Sequence, residues 1–228
     1  MVKYSILFLV LSILFVSCGD KAEIERLTEL NEKLKEENRQ LSVDLEIAKI
    51  SSERIQFLSR KLKGLKARIV TNYGNIELEF FHEKAPITIA NFLGRAESGF
   101  YDNSQFHRII PGFMIQAGDP NSKDKDIYND GLGGTIFNIP HEFNEVSHER
   151  GIISMARQSA KGVGAGSQFF IMHATKTHLD GEYTVFGKVT SGMEVVDKIA
   201  EVPTNKKDPR LRDRPVNPVI IKRIEVYR

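Results

Sequence analysis

Residues 106–120 read FHRIIPGFMIQAGDP, and residues 166–171 read GSQFFI. The first string holds two short apolar runs on either side of a Pro-Gly corner. Arg108 is set within it among Phe, Ile, Met and Gln. A lone charge in apolar, strand-like sequence is expensive to bury. The arrangement suggests an apolar pocket with one strong hydrogen-bond donor aimed into it; an ordinary surface arginine with a buried stem is the other reading of the same residues. Alternation along a strand places Phe113 and Ile115 on one face and Met114 and Gln116 on the other, with the corner at Gly112. The same alternation turns His107 away from the face Arg108 uses, which makes His107 structural.

The surrounding sequence predicts many short strands. Residues 67–71 and 76–80 alternate around Asn72-Tyr73-Gly74-Asn75, as a hairpin does. Pro86 stands where it opens a helix that runs through Asn91 to about Ser98. Apolar runs follow at 106–110, 113–117, 152–155, 169–172 and 185–189. Residues 194–200 read as a second helix and 219–227 as a last strand. Short strands, Gly turns and two helices predict a mainly β domain built as a closed antiparallel barrel. Trp is absent and Phe numbers 14, so Phe carries the aromatic part of the core.

Before this domain lie two segments of different character. Residues 22–63 contain no Gly or Pro and are rich in Glu, Lys and Leu, which predicts a long α-helix. Leu27, Leu34, Leu41, Ala48, Ile55 and Leu62 recur every seven residues. With Asn31 and Asn38 among their a-type partners, they suit a coiled coil and self-association through residues 22–63. A solvated single helix is the other reading of the same residues. The apolar seam shifts after Ser52, because Leu58 and Leu65 fall out of the heptad, and Gly64 is a natural end or hinge. Residues 4–16 form an apolar run of thirteen behind Lys3, too short to span a bilayer and of signal-peptide length. Ser17 before Cys18 fits a bacterial lipoprotein cleavage box, although Phe15 is bulky for that position. On that reading residues 1–17 are removed and Cys18 carries lipid, the protein being an exported cell-envelope lipoprotein. An ordinary signal peptide or an uncleaved anchor is the alternative.

The 32 basic and 30 acidic residues leave a formal net charge of +2, which gives no reason to expect a nucleic-acid partner. A single cysteine excludes an internal disulfide and a Cys-based zinc site. His141-Glu142 and His148-Glu149 resemble fragments of a zinc signature, but no His follows at helical spacing. The KGVGAGS run, residues 161–167, lacks the GK[ST] ending of a phosphate loop and reads as a flexible loop. NSKDKDIYNDG, residues 121–131, lacks calcium-loop spacing and reads as solvated. No metal or cofactor is expected.

From about Lys66 to the C-terminus, roughly seventy per cent of the chain, these strings resemble the cyclophilin family of peptidyl-prolyl cis/trans isomerases. The resemblance implies an eight-stranded closed barrel capped by two helices, here preceded by the long helix, with residues 67–228 as the isomerase domain and 18–66 as a lipid-anchored stalk. It implies proline-containing polypeptides as partners and non-covalent catalysis. By motif, Arg108 matches the family's catalytic arginine. Phe113 and Met114 match pocket positions, and Gln116 matches the glutamine that binds substrate backbone and positions the arginine. In MARQSAKGVGAGSQFFI, Ala156 matches a backbone-binding site, Gln168 a glutamine of the groove and Phe170 the floor of the proline pocket. In KTHLDGEYTVFG, Leu179 matches a pocket wall. Three positions depart. Arg157 stands where Asn is usual, His178 where many eukaryotic members have Trp, and Tyr183 where His is frequent. The resemblance then implies altered substrate preference and weak inhibition by cyclosporin. A proline-binding chaperone module or an envelope scaffold with little turnover are the competing functions.

Overall fold

In the computed structural model, residues 21–157 and 164–228 are described. The expected signal peptide, Cys18 and residues 161–163 of the glycine run lie outside the described residues. The chain divides into two compact units, Met1–Glu53 and Arg54–Arg228.

Helix α1, Lys21–Leu62, follows from the absence of Gly and Pro. In the first unit its side chains are largely exposed, including Leu27, Leu34, Leu41 and Leu45. Glu32–Lys35 and Glu36–Arg39 pair across single turns at 2.6 and 2.9 Å. No described helix is long and apolar enough to cross a membrane. The last turns of α1 belong to the second unit. Leu62 is buried in its core, and Leu58 and Leu65 pack alongside. The seam shift in the sequence thus has a physical cause: Leu58 and Leu65, which leave the heptad, follow the domain core. Gly64, at φ 77°, ends the helix.

Nine strands make one sheet: β1 Lys66–Thr71, β2 Asn75–Phe80, β3 Ser104–Gln105, β4 Arg108–Ile110, β5 Met114–Ala117, β6 Ile152–Arg157, β7 Ala165–Met172, β8 Val185–Ser191 and β9 Ile220–Tyr227. Their order is β3-β9-β1-β2-β8-β6-β7-β5-β4, and all pairs are antiparallel. The expected closed eight-stranded barrel is therefore corrected to an open, curled sheet of nine. The expected strand over residues 106–110 is broken at Phe106 and His107. Only its second part, Arg108–Ile110, is a strand, pairing with β5 as β4; the preceding Ser104–Gln105, outside the expected span, pairs with β9 as β3. The two edges of the sheet are joined by Phe106 and His107 of the chain and not by a hydrogen-bonded ladder. The free edge of β4 is covered by the loop before β9, where the Ile109 N–H donates to the Asp213 carbonyl at 2.7 Å. Residues 165–167, expected within a flexible loop, begin β7 instead.

Two helices, α2 (Pro86–Glu97) and α3 (Met193–Ala200), pack on this sheet. α2 buries Ile89, Phe92, Leu93 and Ala96 at helical spacing. Its first turn is capped by Glu142, whose carboxylate accepts from the Ile87 and Thr88 N–H groups at 3.0 and 2.7 Å. Phe92 lies at the centre of the core, 5.3 Å from each of the Tyr101, Phe169 and Phe186 rings.

Candidate active site

Arg108 opens β4 directly opposite Gln116 on β5. That register places the guanidinium Nη1 3.3 Å from Gln116 Oε1. Gln116 in turn donates to Gln168 Oε1 at 2.9 Å, and Gln168 donates to the Gly131 and Gly133 carbonyls at 3.0 and 2.7 Å. The relay ends on a loop that is itself pinned from behind. Asp119, fully buried, accepts from the Asn121 N–H at 2.8 Å, the Gly133 N–H at 3.3 Å and the Gly131 N–H. A Cβ on Gly133 would sit 2.0 Å from Asp119 Oδ1, so only glycine admits that approach. On its other side Arg108 Nε meets Asp213 Oδ2 at 3.4 Å. The arginine is half-exposed and held between two partners.

Beside it lies a slot of ≈ 150 Å³ whose apolar lining includes Phe113, Met114, Ala156, Phe170, Leu179 and Tyr183. This is below the ~300–1,000 Å³ that drug-sized ligands occupy, and suits a single side chain. Arg108, Gln116 and Arg157 complete the lining. The slot rests on a small satellite core in which Met114, Phe170, Met172, Leu179 and Val185 pack together. Phe113 faces this slot together with Met114 and does not share a face with Ile115, which is buried in the main core. The correction has a local reason. Phe113 precedes β5, in the turn set by Gly112 at φ 71°, so strand alternation does not reach it.

Two of the expected residues stand outside the slot. Gln168 lines a neighbouring cavity of ≈ 340 Å³ formed by the 131–134 loop and β7. His178 is exposed at the rim, its ring 6.4 Å from that of Phe113. Arg157 lies over the Tyr183 ring at 4.9 Å and donates to the Glu182 carbonyl at 2.8 Å.

Under the slot is an array that sequence reasoning did not find. His148 stacks on Phe170 with ring centroids 6.1 Å apart. Its Nδ1 faces Asp180 Oδ1 at 2.9 Å and its Nε2 faces Ser154 Oγ at 3.0 Å. The set has the composition of a nucleophilic triad. Ser154 and His148 are, however, wholly buried, which leaves no approach for a substrate carbonyl. The array instead fixes the ring that floors the slot. Burial pushes the His148 imidazole below its ordinary value. Desolvation pulls the Asp180 carboxyl up, but bonds from the His148 N–H, its ring and Ser147 outweigh it and hold the group below the usual range. Asp119 and Asp213 were likewise missed. His148 and Asp180 are 32 residues apart, and Arg108 and Asp213 are 105 apart. Among the described residues no group of three His, Cys, Asp or Glu can hold a metal ion.

Comparison with known proteins agrees with this geometry. The family model described as cyclophilin type peptidyl-prolyl cis-trans isomerase/CLD matches residues 66–226. A relative from Rhizopus delemar, peptidyl-prolyl cis-trans isomerase-like 2, is 41% identical over 177 residues; that covers 75% of this chain but only 31% of the relative. A Helicobacter pylori peptidyl-prolyl cis-trans isomerase is 46% identical over 143 residues, covering 61% of this chain and 82% of its own. A cyclophilin type isomerase of Cryptosporidium parvum, solved in the presence of the dipeptide Ala-Pro, superposes with a TM-score of 0.62 at 37% identity, covering 72% of this chain and 99% of its own. By sequence, by fold and by the arginine set over an apolar slot, this chain belongs to the cyclophilin-type peptidyl-prolyl cis-trans isomerase family.

Proposed function

We propose that the protein isomerises X–Pro bonds in exported polypeptides, with Arg108 as the catalytic residue and the apolar slot as the seat of the proline ring. One observation carries the reading: a guanidinium with two side-chain partners, Gln116 and Asp213, at the mouth of a slot of ≈ 150 Å³. A prolyl amide resists rotation because its C–N bond has partial double-bond character, with a barrier of ~18–20 kcal/mol. The slot grips the ring while the rest of the bond turns. In the twisted state the prolyl nitrogen regains its lone pair. A guanidinium N–H donated to that nitrogen opposes the return of resonance, and it acts on the twisted amide more than on the planar one. Arg suits this task because it stays charged and its donors are rigidly placed. Partial dehydration by Phe113, Met114 and Phe170 strengthens the interaction. The reaction needs no nucleophile, and none of the titratable groups around the slot has to gain or lose a proton. The Ala-Pro dipeptide used with the Cryptosporidium parvum relative supports a proline ligand here.

The test is exchange between cis and trans in an Ala-Pro peptide, wild type against Arg108→Ala. Loss of most of the catalysed exchange is expected. Equal rates refute the assignment, and client binding that persists with unchanged protection from aggregation would favour a chaperone module.

The site of action is part of the same proposal. We infer that Cys18 is lipidated after removal of residues 1–17, which ties the protein to a membrane of the bacterial envelope. Labelling cells with a fatty acid and comparing Cys18→Ala decides this, since equal label in both rules it out. The exposed leucines of α1 support self-association through residues 22–63. An unchanged molecular mass in Leu27→Lys with Leu34→Lys would refute it.

A further inference from the structure

The loop between α3 and β9 is rich in arginine: residues 204–214 read TNKKDPRLRDR, five basic residues against two acidic. It walls a cavity of ≈ 310 Å³ that shares Arg108 and Gln116 with the proline slot. Arg108, Arg210, Arg212 and Arg214 line this cavity, facing two carboxylates, Asp130 and Asp213. Asp130 is already committed, being almost fully buried against Arg214 Nε at 2.5 Å. Asp213 is shared between Arg108 at 3.4 Å and Arg212 at 3.8 Å. Arg210 lies over the Tyr128 ring at 4.4 Å and reaches Asp208 at 3.6 Å, outside the lining. His107 also borders the cavity, and burial keeps its imidazole below its ordinary value, so it adds no charge at neutral pH. Four guanidinium groups against two carboxylates leave an excess of two positive charges in the lining. The two least restrained members, Arg210 and Arg212, each keep 73% of their side chains exposed.

We propose that this cavity is a second subsite, which takes an acidic side chain of the client lying on the flank of the proline that passes Arg108. The inference rests on the isomerase reading and adds to it a substrate class. A guanidinium fork matches a carboxylate in two parallel hydrogen bonds. Because the two arginines are exposed, the gain is modest, about five-fold in affinity for one pair. The neighbouring cavity at the 131–134 loop is lined largely by glycine, and its one guanidinium, Arg157, is mostly buried and already paired with Glu182 at 3.2 Å, so charge selection falls on the flank of Arg210 and Arg212.

The test uses the full chain and Ala-Pro peptides with a single Glu, Gln or Lys at each of three positions on either side. Turnover is read by exchange and binding by titration calorimetry. At low salt, Glu should exceed Lys by about five-fold on one flank and match it on the other, with the gap closing in high salt. Arg210→Gln with Arg212→Gln should flatten the ranking, and Arg210→Glu with Arg212→Glu should invert it. The same charge reversal at Lys207 and Lys222, outside the cavity lining, should leave it standing. Equal binding of Glu, Gln and Lys peptides at every position overturns the subsite. So does a preference that survives the arginine reversals, or one lost equally with the lysine reversals. If the neutral peptide is bound but never turned over, the isomerase reading fails, while the binding ranking still decides the subsite.

Discussion

Replacing Gln116 with Leu tests whether the relay behind Arg108 matters to its chemistry. Leu fills similar space but removes the acceptor for Arg108 Nη1 at 3.3 Å and the donor to Gln168 at 2.9 Å. A neutral hydrogen bond contributes about 1 kcal/mol, and one to a charged group about 1.5–3. The Arg108 side chain is 45% exposed, so its bond belongs below that range, at about 1 kcal/mol. Asp213 still holds the guanidinium on the other side. The expected loss is therefore about 1–2 kcal/mol of transition-state stabilisation, which is a fall of about 5- to 30-fold in kcat/KM. Removing the charged donor outright, in Arg108→Ala, should cost about 100- to 1,000-fold, as for a preorganised donor to a developing charge. The informative measurement is the cycle. If Gln116 acts through Arg108, adding Gln116→Leu to Arg108→Ala should cost less than about two-fold more. Exchange spectroscopy on an Ala-Pro peptide gives all four rates, against an uncatalysed exchange of tens to hundreds of seconds. A loss that is undiminished in the Arg108→Ala background would show Gln116 acting directly on the substrate, and would refute the positioning role.

Leu62→Ala should destabilise the domain by about 2 kcal/mol, the low end for a core leucine at its margin, and an unchanged urea midpoint would show that the end of α1 contributes nothing to the core. Asp119→Ala leaves three backbone donors without their acceptor and should cost about 3 kcal/mol or more in urea unfolding, with kcat/KM falling because Gln168 loses its rigid seat; wild-type stability and rate would refute both. Acid should also weaken the fold. His107 and His148 titrate below their ordinary value when folded, so between the two values the unfolded chain binds more protons. Their contribution is complete above about pH 6.5 and is lost as pH falls from there toward the folded values. Urea midpoints measured from pH 7.5 to 5.5 should decline, and for His148→Gln the decline should be shallower; identical slopes would sink the assignment to His148.

The sequence was legible where a side chain's environment is set by its neighbours in the chain. The hairpin of β1 and β2, Pro86 at the start of α2 and the leucine shift near the end of α1 are all local signals, and all appear in the fold. Arg108, Phe113, Met114, Phe170 and Leu179 were found through their motif and come together at one slot. What stayed hidden depends on closure of the chain over long distances. No periodicity couples Asp213 to Arg108, or Asp180 to His148 and Ser154. The face taken by Phe113 was misjudged because Gly112 places it in a turn, where a period of two has no meaning. The barrel count failed for a related reason. Where the strand expected over 106–110 begins, and whether residues 104–105 form another, is decided by partners at residues 114–116 and 220–221.

The break at Phe106 and His107 has a mechanical consequence. Arg108 is the first residue beyond it, on an outermost strand with a neighbour on only one side. Its other flank is secured by a single residue, Asp213, which takes the Ile109 amide with its carbonyl and the guanidinium with its carboxylate. One latch thus restrains backbone and side chain together. Lifting it would leave the guanidinium with Gln116 alone while the remaining strands stayed zipped, so a surface loop shares with the sheet the work of holding Arg108 in place.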